Sequence, residues 1–365
     1  MKEMRVGLGD RSYSIHVGHG CLEDVGQACK DLGLGQRLAI ITNPTVADLY
    51  LEPVERSLGA AGFSVSVATM ADGEEHKTLE TAGRLHGDLI EGGLDRGSAV
   101  VTLGGGVVGD VGGFVAATYM RGIPFVQVPT TVEAQVDASV GGKTAVDHAL
   151  GKNMIGAFHQ PGLVWIDTET LKTLPDDEFL AGMAEVVKHA LIRDSELVDF
   201  LDQHVDTLVD RTIGAERLDW LIARNCAIKA SVVEADETER GLREILNYGH
   251  TIGHAIEAAS GFKLKHGQAV AAGMVANGKI AVDKGVLDRT TCERQEALFR
   301  RLGIARWAGA TSEKLFDLMR SDKKTRDGVI RFVLLHGIEK AVSHDDVTSE
   351  EIEAGMAYAR SFVTG

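Results

Sequence analysis

Three histidines lie between positions 250 and 266, and imidazole is the most common protein ligand for zinc. His250 and His254 are four residues apart in a segment with helical periodicity, and this spacing puts both rings on one helix face. His266 follows after a short loop. A catalytic zinc takes three protein ligands and keeps one open position, so two or three of these histidines with an outside carboxylate predict a metal site. The alternative interpretation is that they are solvated or hydrogen-bonded histidines of an ordinary helix.

Glu185 is an acidic residue within an apolar segment, GMAEVVKHALI (182–192). Burying a carboxylate without a partner is costly, so Glu185 must be exposed, paired or bound to a metal. Lys188 follows three positions later on the same helix face and is a simple ion-pair partner. Both interpretations remain open at this point.

Polar residues also precede the histidines along the chain. Asn247 lies three positions before His250, and Arg243 lies four positions before Asn247, so the polar face can extend in that direction. Lys229 and Glu239 add further charges to a region otherwise built for packing.

A glycine-rich loop, LGGGVVGDVGG (103–113), directly follows a predicted strand. Gly104, Gly106 and Gly109 satisfy the pattern G-x-G-x-x-G, with a helix predicted from Val107 onward. Glycine lets backbone amides approach a pyrophosphate, which the N-terminus of a helix then attracts. The acidic residue usual about 20 positions later is missing, so a glycine-rich packing turn is the alternative.

Two further segments have the composition of ligand-binding loops. The cluster DGEEHK (72–77) follows the end of another predicted strand, where ligands gather in open α/β sheets. In the irregular stretch 129–161, Lys143 and Lys152 each lie beside glycines, and Arg121 precedes that stretch. Cations in the glycine loops of an acidic protein indicate an anionic ligand such as phosphate or carboxylate. Solvated turns and ordinary surface lysines are the alternatives.

Composition excludes several classes of partner. The chain of 365 residues is long enough for two domains, and 38 basic against 53 acidic residues give a net charge of −15. Such a surface repels phosphate backbones and anionic membranes, so neither nucleic acid nor membrane is an expected partner. Four scattered cysteines without a CxxC pair indicate a reducing compartment. The start lacks a signal peptide, and we expect a cytoplasmic protein.

Strands and helices alternate in the first half of the chain, which favours a parallel sheet covered on both faces. From Asp176 onward the chain is predicted to be almost wholly helical, apart from a small hairpin in 329–344. The prediction is an α/β domain over 1–175 and an all-α domain over 176–365. The predicted strands cover 4–17, 37–43, 63–70, 98–103, 124–131 and 163–168. The predicted helices of the second domain cover 176–193, 195–210, 215–235, 248–259, 267–284, 288–302 and 312–321.

Eight sequence blocks, in the same order, resemble the 3-dehydroquinate synthase family of sugar-phosphate cyclases. They are DGEEHK (72–77), GGGVVGD (104–110), YMRGIPFVQVPTT (119–131), QVDASVGGKTAVDHALGKNMIGAFHQP (135–161), GMAEVVKHALI (182–192), LNYGHTIGHAIE (246–257), KHGQAVAAGM (265–274) and DKK (322–324). One block would be weak, but eight in order are highly specific. The fold that the resemblance implies is an NAD-binding α/β domain followed by an α-helical metal- and substrate-binding domain.

The resemblance also implies roles for individual residues. Glu185, His250 and His266 correspond to ligands of Zn²⁺ or Co²⁺, and His254 to a residue that contacts substrate and handles protons. The other substrate-contacting positions that it implies are Arg121 (from the neighbouring subunit of a homodimer), Asp137, Lys143, Asn153, Lys188, Lys229, Glu239, Arg243, Asn247 and Lys324 of the pair Lys323–Lys324. The NAD-contacting positions that it implies are Asp72, Gly73, Glu74, Glu75, His76, Lys77, Gly106, Val107, Val108, Gly109, Asp110, Thr130, Thr131, Lys143, Lys152, Thr170, Leu171, Lys172 and Thr173.

The chain departs from the family pattern at a few places within these blocks. Ala138 and Asp147 stand where Ser and Asn are frequent, Gln268 where Glu is usual, and Glu133 where the family is apolar. None of these positions is itself a matched ligand or substrate position, and we expect them not to touch one.

The activity that the resemblance implies is conversion of 3-deoxy-D-arabino-heptulosonate 7-phosphate to 3-dehydroquinate and phosphate, a lyase reaction of the shikimate pathway to chorismate and the aromatic amino acids. It proceeds by transient oxidation with NAD, elimination of phosphate, re-reduction and intramolecular aldol closure, and zinc lowers the pKa of the oxidised alcohol. Two other classes remain open. An NAD- and metal-dependent polyol dehydrogenase would accumulate NADH, and a non-catalytic NAD-binding module would show no turnover.

Overall fold

The computed structural model describes residues 1–321 and 330–364, so Lys323 and Lys324 lie outside the described residues. Within the described residues, the strands are β1 (Lys2–Val6), β2 (Tyr13–Gly18), β3 (Arg37–Thr42), β4 (Ser64–Thr69), β5 (Ala99–Gly104), β6 (Phe125–Pro129), β7 (Lys143–His148), β8 (Gly151–Phe158), β9 (Leu163–Asp167), β10 (Phe332–Leu335) and β11 (Ala341–His344). The helices are α1 (Val25–Asp31), α2 (Pro44–Ala60), α3 (Leu79–Glu91), α4 (Gly106–Thr118), α5 (Asp176–Arg193), α6 (Ser195–Val209), α7 (Ala215–Ala235), α8 (His250–Ala259), α9 (His266–Asp283), α10 (Arg289–Leu302), α11 (Ser312–Ser321) and α12 (Ser349–Thr364).

The chain forms two compact units, and each takes two pieces of the sequence. The first unit is Met1–Leu174 with Ala215–Thr238, and the second is Pro175–Gly214 with Glu239–Gly365. The sequence-based division assigned all of 176–365 to the second domain, and the structure differs from it at α7. This helix packs against β1 and β2 and against a π-helical turn, Ala134–Ala138, so it belongs to the first unit. Helical periodicity predicts a helix but does not say which core covers its apolar face.

The first unit contains the predicted parallel sheet. Its strands have the order β1-β2-β9-β6-β5-β3-β4, and every neighbouring pair is parallel except β1 with β2, which form the predicted N-terminal hairpin. Side chains of β5 alternate between two apolar cores. Val100 packs into the core that includes Leu85 of α3, and Val101 into the core that includes Val54 of α2. Helices therefore cover both faces of the sheet, as the alternation of strands and helices predicted.

The stretch 129–161 contains regular structure that the sequence did not predict. It forms the π-helical turn and an antiparallel hairpin of β7 and β8. Thr144, Ala145 and Val146 are buried, because β7 packs against α4. The glycines and charges of this stretch made the short apolar run of β7 hard to recognise in the sequence. Its partner β8 gave no apolar signal either, because none of its residues is buried.

The second unit is helical with one small hairpin, as predicted. Helix α9 is buried over nearly its whole length and packs against α5, α8, α10 and α12. It begins at His266, one residue earlier than predicted, because Gln268 accepts a hydrogen bond from the backbone amide of Lys265 at 3.3 Å and caps the helix. Strands β10 and β11 pair antiparallel. Within residues 1–321 and 330–364, no helix combines the length and apolar character that crossing a membrane requires.

Candidate active site

The three histidines come together in the second unit, where two helix N-termini carry them. Helix α8 begins at His250 because Gly249 adopts a left-handed conformation with φ of 80°. A Cβ atom at Gly249 would also lie 2.3 Å from Cγ of Met274 in α9, so only glycine fits this turn. His254 follows one helical turn later, and its ring centroid lies 5.4 Å from that of His250. The predicted arrangement of both rings on one face is confirmed.

Glu185 of α5 faces two of these histidines, His250 of α8 and His266 of α9. A Cβ atom at Gly267 would lie 1.9 Å from the carbonyl oxygen of Ala181, so glycine permits the close approach of the two helices beside His266. As a result, Oε1 of Glu185 lies 3.7 Å from Nε2 of His250 and 3.6 Å from Nε2 of His266. Glu185 is 1% exposed, so this arrangement lies in the interior of the unit.

These three side chains fit a tetrahedral divalent metal. With metal–ligand bonds of about 2.0–2.2 Å, tetrahedral geometry places donor atoms about 3.3–3.6 Å apart. The two measured separations from Oε1 of Glu185 agree with that range to within about 0.1 Å. Two imidazole nitrogens and one carboxylate oxygen form a donor set that suits Zn²⁺ or Co²⁺ and leaves the fourth position open.

The other ring nitrogens of His250 and His266 are held by hydrogen bonds. Nδ1 of His250 donates to the backbone carbonyl of Tyr248 at 3.0 Å, and Nδ1 of His266 donates to Oε2 of Glu257 at 3.2 Å. Each bond places the proton on Nδ1, so Nε2 keeps the lone pair that binds a metal. Sequence reasoning missed Glu257. The spacing could have revealed it, because Glu257 lies seven positions after His250, and residues at i, i+4 and i+7 share one helix face.

His254 remains a geometric alternative as a ligand. One ring nitrogen from each of His250, His254 and His266 lies within 4.8 Å of the others. Its ring centroid is 5.6 Å from that of His266. Distances among the histidines alone therefore do not distinguish the ligand set of three histidines from the set of Glu185, His250 and His266. The position of Glu185, whose Oε1 faces Nε2 of His250 and of His266, supports the second set.

Glu185 also forms the ion pair that the sequence offered as the alternative. Oε2 of Glu185 contacts Nζ of Lys188, and both side chains are 1% exposed. The two interpretations of Glu185 are therefore compatible, because one carboxylate oxygen meets the ammonium group and the other faces the histidines. The lysine charge compensates the buried carboxylate, which would otherwise be expensive to desolvate.

Three more predicted site residues lie close together just before α8. Arg243 and Asn247 belong to a 3-10 helix, Leu242–Asn247, and Arg243 is 1% exposed. Nδ2 of Asn247 donates a hydrogen bond of 2.8 Å to Oε1 of Glu239. Glu239 has a φ of 57°, a conformation that is uncommon outside glycine and clusters at functional sites.

In the first unit, the structure brings together Asp137 and Lys229. Nζ of Lys229 lies 2.8 Å from Oδ1 of Asp137 and 2.6 Å from its backbone oxygen. The π-helical turn carries Asp137 and α7 carries Lys229, so the packing of α7 on the first unit creates this pair. Because 92 positions separate the two residues, local sequence spacing gave no sign of the contact.

The glycine loop has the predicted strand–glycine–helix form. Strand β5 ends at Gly104 and α4 begins at Gly106, and the amide of Thr130 donates to the carbonyl of Gly104 at 2.9 Å. A Cβ atom at Gly106 would meet Cβ of Ala138 at 3.4 Å, an ordinary contact. A Cβ atom at Gly109 would lie only 2.7 Å from Oε1 of Gln127. Packing against Gln127 therefore favours glycine at position 109, whereas packing does not require glycine at position 106.

The predicted cofactor residues 72–77 form a turn held by ion pairs. Lys77 is 4% exposed, and its Nζ lies 2.6 Å from Oδ2 of Asp110 in α4. Lys152 pairs with Glu74 at 2.9 Å. Burial lowers the pKa of Lys77, but the charges of Asp110 and Glu74 raise it by more, so its net direction is upward. The turn is thereby fixed to the helix that follows the glycine loop.

The remaining predicted positions of the first unit differ in exposure. Thr170 and Leu171 are both 1% exposed, and the hydroxyl of Thr170 donates to the carbonyl of Asp167 at 2.7 Å. Lys143 and Asn153 are exposed at the β7–β8 hairpin. Arg121 is exposed in a turn with a φ of 73°.

One expectation about the departures from the family pattern is wrong. Asp147 touches a matched substrate position, because its Oδ1 accepts from the backbone amide of Asn153 at 2.7 Å. Its own amide also donates to the carbonyl of Lys77, a matched NAD position, at 2.7 Å. Gln268 also acts locally, since it caps the helix that begins at His266. The sequence did not reveal the contacts of Asp147, because they depend on the unpredicted hairpin.

Solved structures with this architecture include enzymes that are complexed with a nucleotide and a metal. A 2-deoxy-scyllo-inosose synthase with carbaglucose-6-phosphate, NAD⁺ and Co²⁺ is 28% identical, with a TM-score of 0.89 over 97% of this chain and 99% of that chain. A 2-epi-5-epi-valiolone synthase from Streptomyces hygroscopicus with NAD⁺ and Zn²⁺ is 29% identical, with a TM-score of 0.89 over 97% and 98%. A glycerol dehydrogenase from Schizosaccharomyces pombe, 15% identical with a TM-score of 0.68 over 95% and 90%, shares the fold alone. The fold class is therefore that of the dehydroquinate synthase-like proteins.

Sequence comparisons identify the family within this class. The family model described as 3-dehydroquinate synthase N-terminal matches residues 67–181, and the one described as C-terminal matches residues 182–325. The 3-dehydroquinate synthase of Pelotomaculum thermopropionicum is 50% identical over 94% of this chain and 92% of that protein. That of Geobacter metallireducens is 50% identical over 93% and 94%. The chain belongs to the 3-dehydroquinate synthase family.

Proposed function

We propose that this chain converts 3-deoxy-D-arabino-heptulosonate 7-phosphate to 3-dehydroquinate and phosphate, as a lyase of aromatic amino-acid biosynthesis. The observation that carries the proposal is the buried Glu185 carboxylate facing Nε2 of both His250 and His266, in a chain whose matched relatives at about half identity are 3-dehydroquinate synthases. When bound, NAD accepts and later returns one hydride, and the divalent metal polarises the substrate hydroxyls.

The metal ligands in this proposal are Glu185, His250 and His266. The hydrogen bonds at Nδ1 of both histidines support this set, because they orient each ring with Nε2 toward Glu185. Three protein ligands leave the fourth position for substrate, and a fourth ligand would close it.

His254 then acts as a proton-handling residue beside the metal. A neutral imidazole exchanges protons near physiological pH, which a ring bound to metal through its lone pair cannot do. The half-buried His254 ring lies one helical turn from His250, close enough to serve a substrate bound at the open metal position.

NAD binds in the first unit at the loop between β5 and α4. The N-terminus of α4 attracts the pyrophosphate, and the space beside Gly106 permits its approach. The ion pairs of Lys77 with Asp110 and Lys152 with Glu74 hold the adjoining turn 72–77 in place.

In this proposal, cationic, acidic and amide side chains bind the anionic and hydroxyl groups of the substrate. The proposed substrate-binding residues of the first unit are Lys143, Asn153, Asp137 and Lys229. The proposed substrate-binding residues of the second unit are Lys188, Glu239, Arg243 and Asn247. Lys324 is also proposed to bind substrate. Cationic side chains suit the phosphate and carboxylate, and the pair of Asp137 with Lys229 and the hydrogen bond of Asn247 to Glu239 preset the orientation of four of these groups.

The proposal includes a cytoplasmic homodimer in which Arg121 serves the neighbouring subunit. Met120 is an exposed apolar residue of the first unit and directly precedes Arg121, which supports a covered surface at this position. All four cysteines are unpaired and buried, which supports a reducing compartment. Sedimentation equilibrium tests the assembly, because a mass of 39.0 kDa would refute it, and cell fractionation tests the compartment.

Phosphate release tests the activity directly. The purified chain with NAD and Zn²⁺ should release one phosphate per heptulosonate phosphate consumed, while the total NAD remains unchanged. Steady accumulation of NADH would favour a polyol dehydrogenase, the class for which the solved glycerol dehydrogenase shows a shared fold. Absence of any turnover in the presence of bound NAD and metal would favour a non-catalytic binding module.

A further inference from the structure

A second pair of histidines lies on the β10–β11 hairpin of the second unit. His336 directly follows β10 and His344 ends β11. Their Nε2 atoms are 2.9 Å apart, and their ring centroids are 5.2 Å apart. The mechanism proposed above does not use either residue.

The surroundings of His344 prepare its ring for metal binding. Nδ1 of His344 donates a hydrogen bond of 2.9 Å to Oδ1 of Asp346, so the proton belongs on Nδ1 and the lone pair on Nε2. Metal-binding histidines usually donate their second ring nitrogen to a carboxylate in this way. Asp346 is itself held by Lys284, which directly follows α9 and whose Nζ lies 3.4 Å from Oδ2.

The ring of His336 is also suited to be a neutral ligand. Burial, the nearby His344 and the charge of Lys340 all lower the pKa of His336, which favours the neutral ring. Loss of the Nε2 proton to the other ring nitrogen leaves a second lone pair facing that of His344. For bonds of about 2.0–2.1 Å at angles of about 90–109°, two nitrogen ligands lie roughly 2.8–3.4 Å apart, which includes the measured separation.

Fixed contacts at both ends support the hairpin that carries the pair. In the turn between the strands, Oε1 of Glu339 accepts hydrogen bonds of 2.7 Å from both the amide and the hydroxyl of Ser195. Along the strands, Glu244 accepts from Ser343 at 3.0 Å and from Arg331 at 3.2 Å. Because Glu244 is next to Arg243, the hairpin is joined to the 3-10 helix that carries proposed substrate-binding residues.

We propose that His336 and His344 form a second divalent transition-metal site, separate from the Glu185–His250–His266 set, with Asp346 as the residue that orients His344. Imidazole pairs select borderline cations such as Zn²⁺, Cu²⁺ and Ni²⁺ over Mg²⁺ and Ca²⁺. The site is on the surface, so water completes the coordination, and an occupied site cross-links β10 to the end of β11. This cross-link steadies the segment that supports the 3-10 helix Leu242–Asn247.

Metal stoichiometry of the holoenzyme tests the proposal. Equilibrium dialysis against Zn²⁺, followed by elemental analysis, should give two equivalents per chain in the natural protein. His336→Gln and His344→Gln should each retain one equivalent and continue to release phosphate, which also shows that these variants fold. His204→Gln, a substitution of another histidine of the second unit, should retain two equivalents.

Two further measurements separate metal binding from a simple hydrogen bond between the rings. Asp346→Asn should weaken the second Zn²⁺ equivalent by about tenfold or more without changing the first. Zn²⁺ should slow amide exchange in β10 and β11 of the natural protein but not of His344→Gln. A single equivalent in the natural protein, or a second equivalent that survives both histidine substitutions, would overturn the proposal and leave the pair as an imidazole–imidazole hydrogen bond. This outcome would not affect the proposed activity, because the first equivalent and phosphate release are measured independently.

Discussion

Nδ1 of His266 lies 3.2 Å from Oε2 of Glu257, a residue that is 5% exposed and belongs to the same helix as His250. The contact joins the first residue of α9 to the third turn of α8. It fixes the direction of Nε2 of His266 toward Glu185, and the proposed metal site therefore depends on a residue that is not among its proposed ligands.

Glu257→Gln should lower the affinity for Zn²⁺ by about 10- to 100-fold and reduce turnover at limiting metal, because the neutral amide is a weaker acceptor for Nδ1–H of His266. Turnover should recover at saturating Zn²⁺, since the three proposed ligands remain. Competition with a zinc chelator measures the affinity. Glu296→Gln is the matched control, because Glu296 is also a buried helical glutamate but contacts Tyr358 and Cys292. Equal loss of affinity in both variants would mean that the effect is general destabilisation.

His254→Ala should keep its metal and lose most of its turnover, whereas His250→Ala and His266→Ala should lose the metal. The reason is that His250 and His266 face Glu185 with Nε2, while His254 is proposed to act on substrate. Elemental analysis of the three purified variants checks this. Loss of metal in His254→Ala together with retention in His266→Ala would show that the ligands are two histidines of α8.

Gly106→Val should weaken NAD binding by at least tenfold while leaving the metal content and the fold unchanged. A Cβ atom at this position meets only Ala138 at an ordinary contact distance, so the larger side chain projects mainly into the proposed pyrophosphate site. Fluorescence titration with NADH measures the affinity, and thermal melting checks the fold. An unaltered affinity would place the cofactor elsewhere.

Lys77→Met should reduce the free energy of unfolding by about 3–5 kcal/mol, because it leaves the carboxylate of Asp110, whose side chain is only 18% exposed, without its partner. The pKa of Lys77 is raised in the folded protein, so its part of the stabilisation is present below its ordinary value of 10.5 and is lost as the pH rises through the higher folded value. Burial raises the pKa of Asp110, so the pair also weakens at acidic pH as that carboxyl group takes up a proton. Urea unfolding at pH 7 measures the difference.

Arg56→Met is the control for this substitution, because Arg56 pairs with Glu23 at 2.6 Å in the same unit but both side chains are more than half exposed. Its effect should stay below about 1 kcal/mol. Equal effects of the two substitutions would show that the pair of Lys77 with Asp110 is screened like a surface ion pair.

The sequence alone determined most of the local elements, apart from those of the stretch 129–161, and the residue types of the site. Apolar runs and helical periodicity predicted the parallel sheet and the helices of the second unit, because these patterns depend only on which face of each element is buried. The spacing of His250 and His254 was sufficient to put both rings on one face of α8. Eight blocks in order identified the family, and none of this required contacts between distant parts of the chain.

Only the tertiary structure decided which of these residues meet. The approach of α9 to α5 beside Gly267 brings His266 to Glu185, and the packing of α7 on the first unit brings Lys229 to Asp137. The hairpin that places Asp147 beside Asn153 is a similar case. Each contact joins residues whose separation along the chain carries no periodic signal, because it is set by how the faces of separate elements pack and not by the geometry within one element.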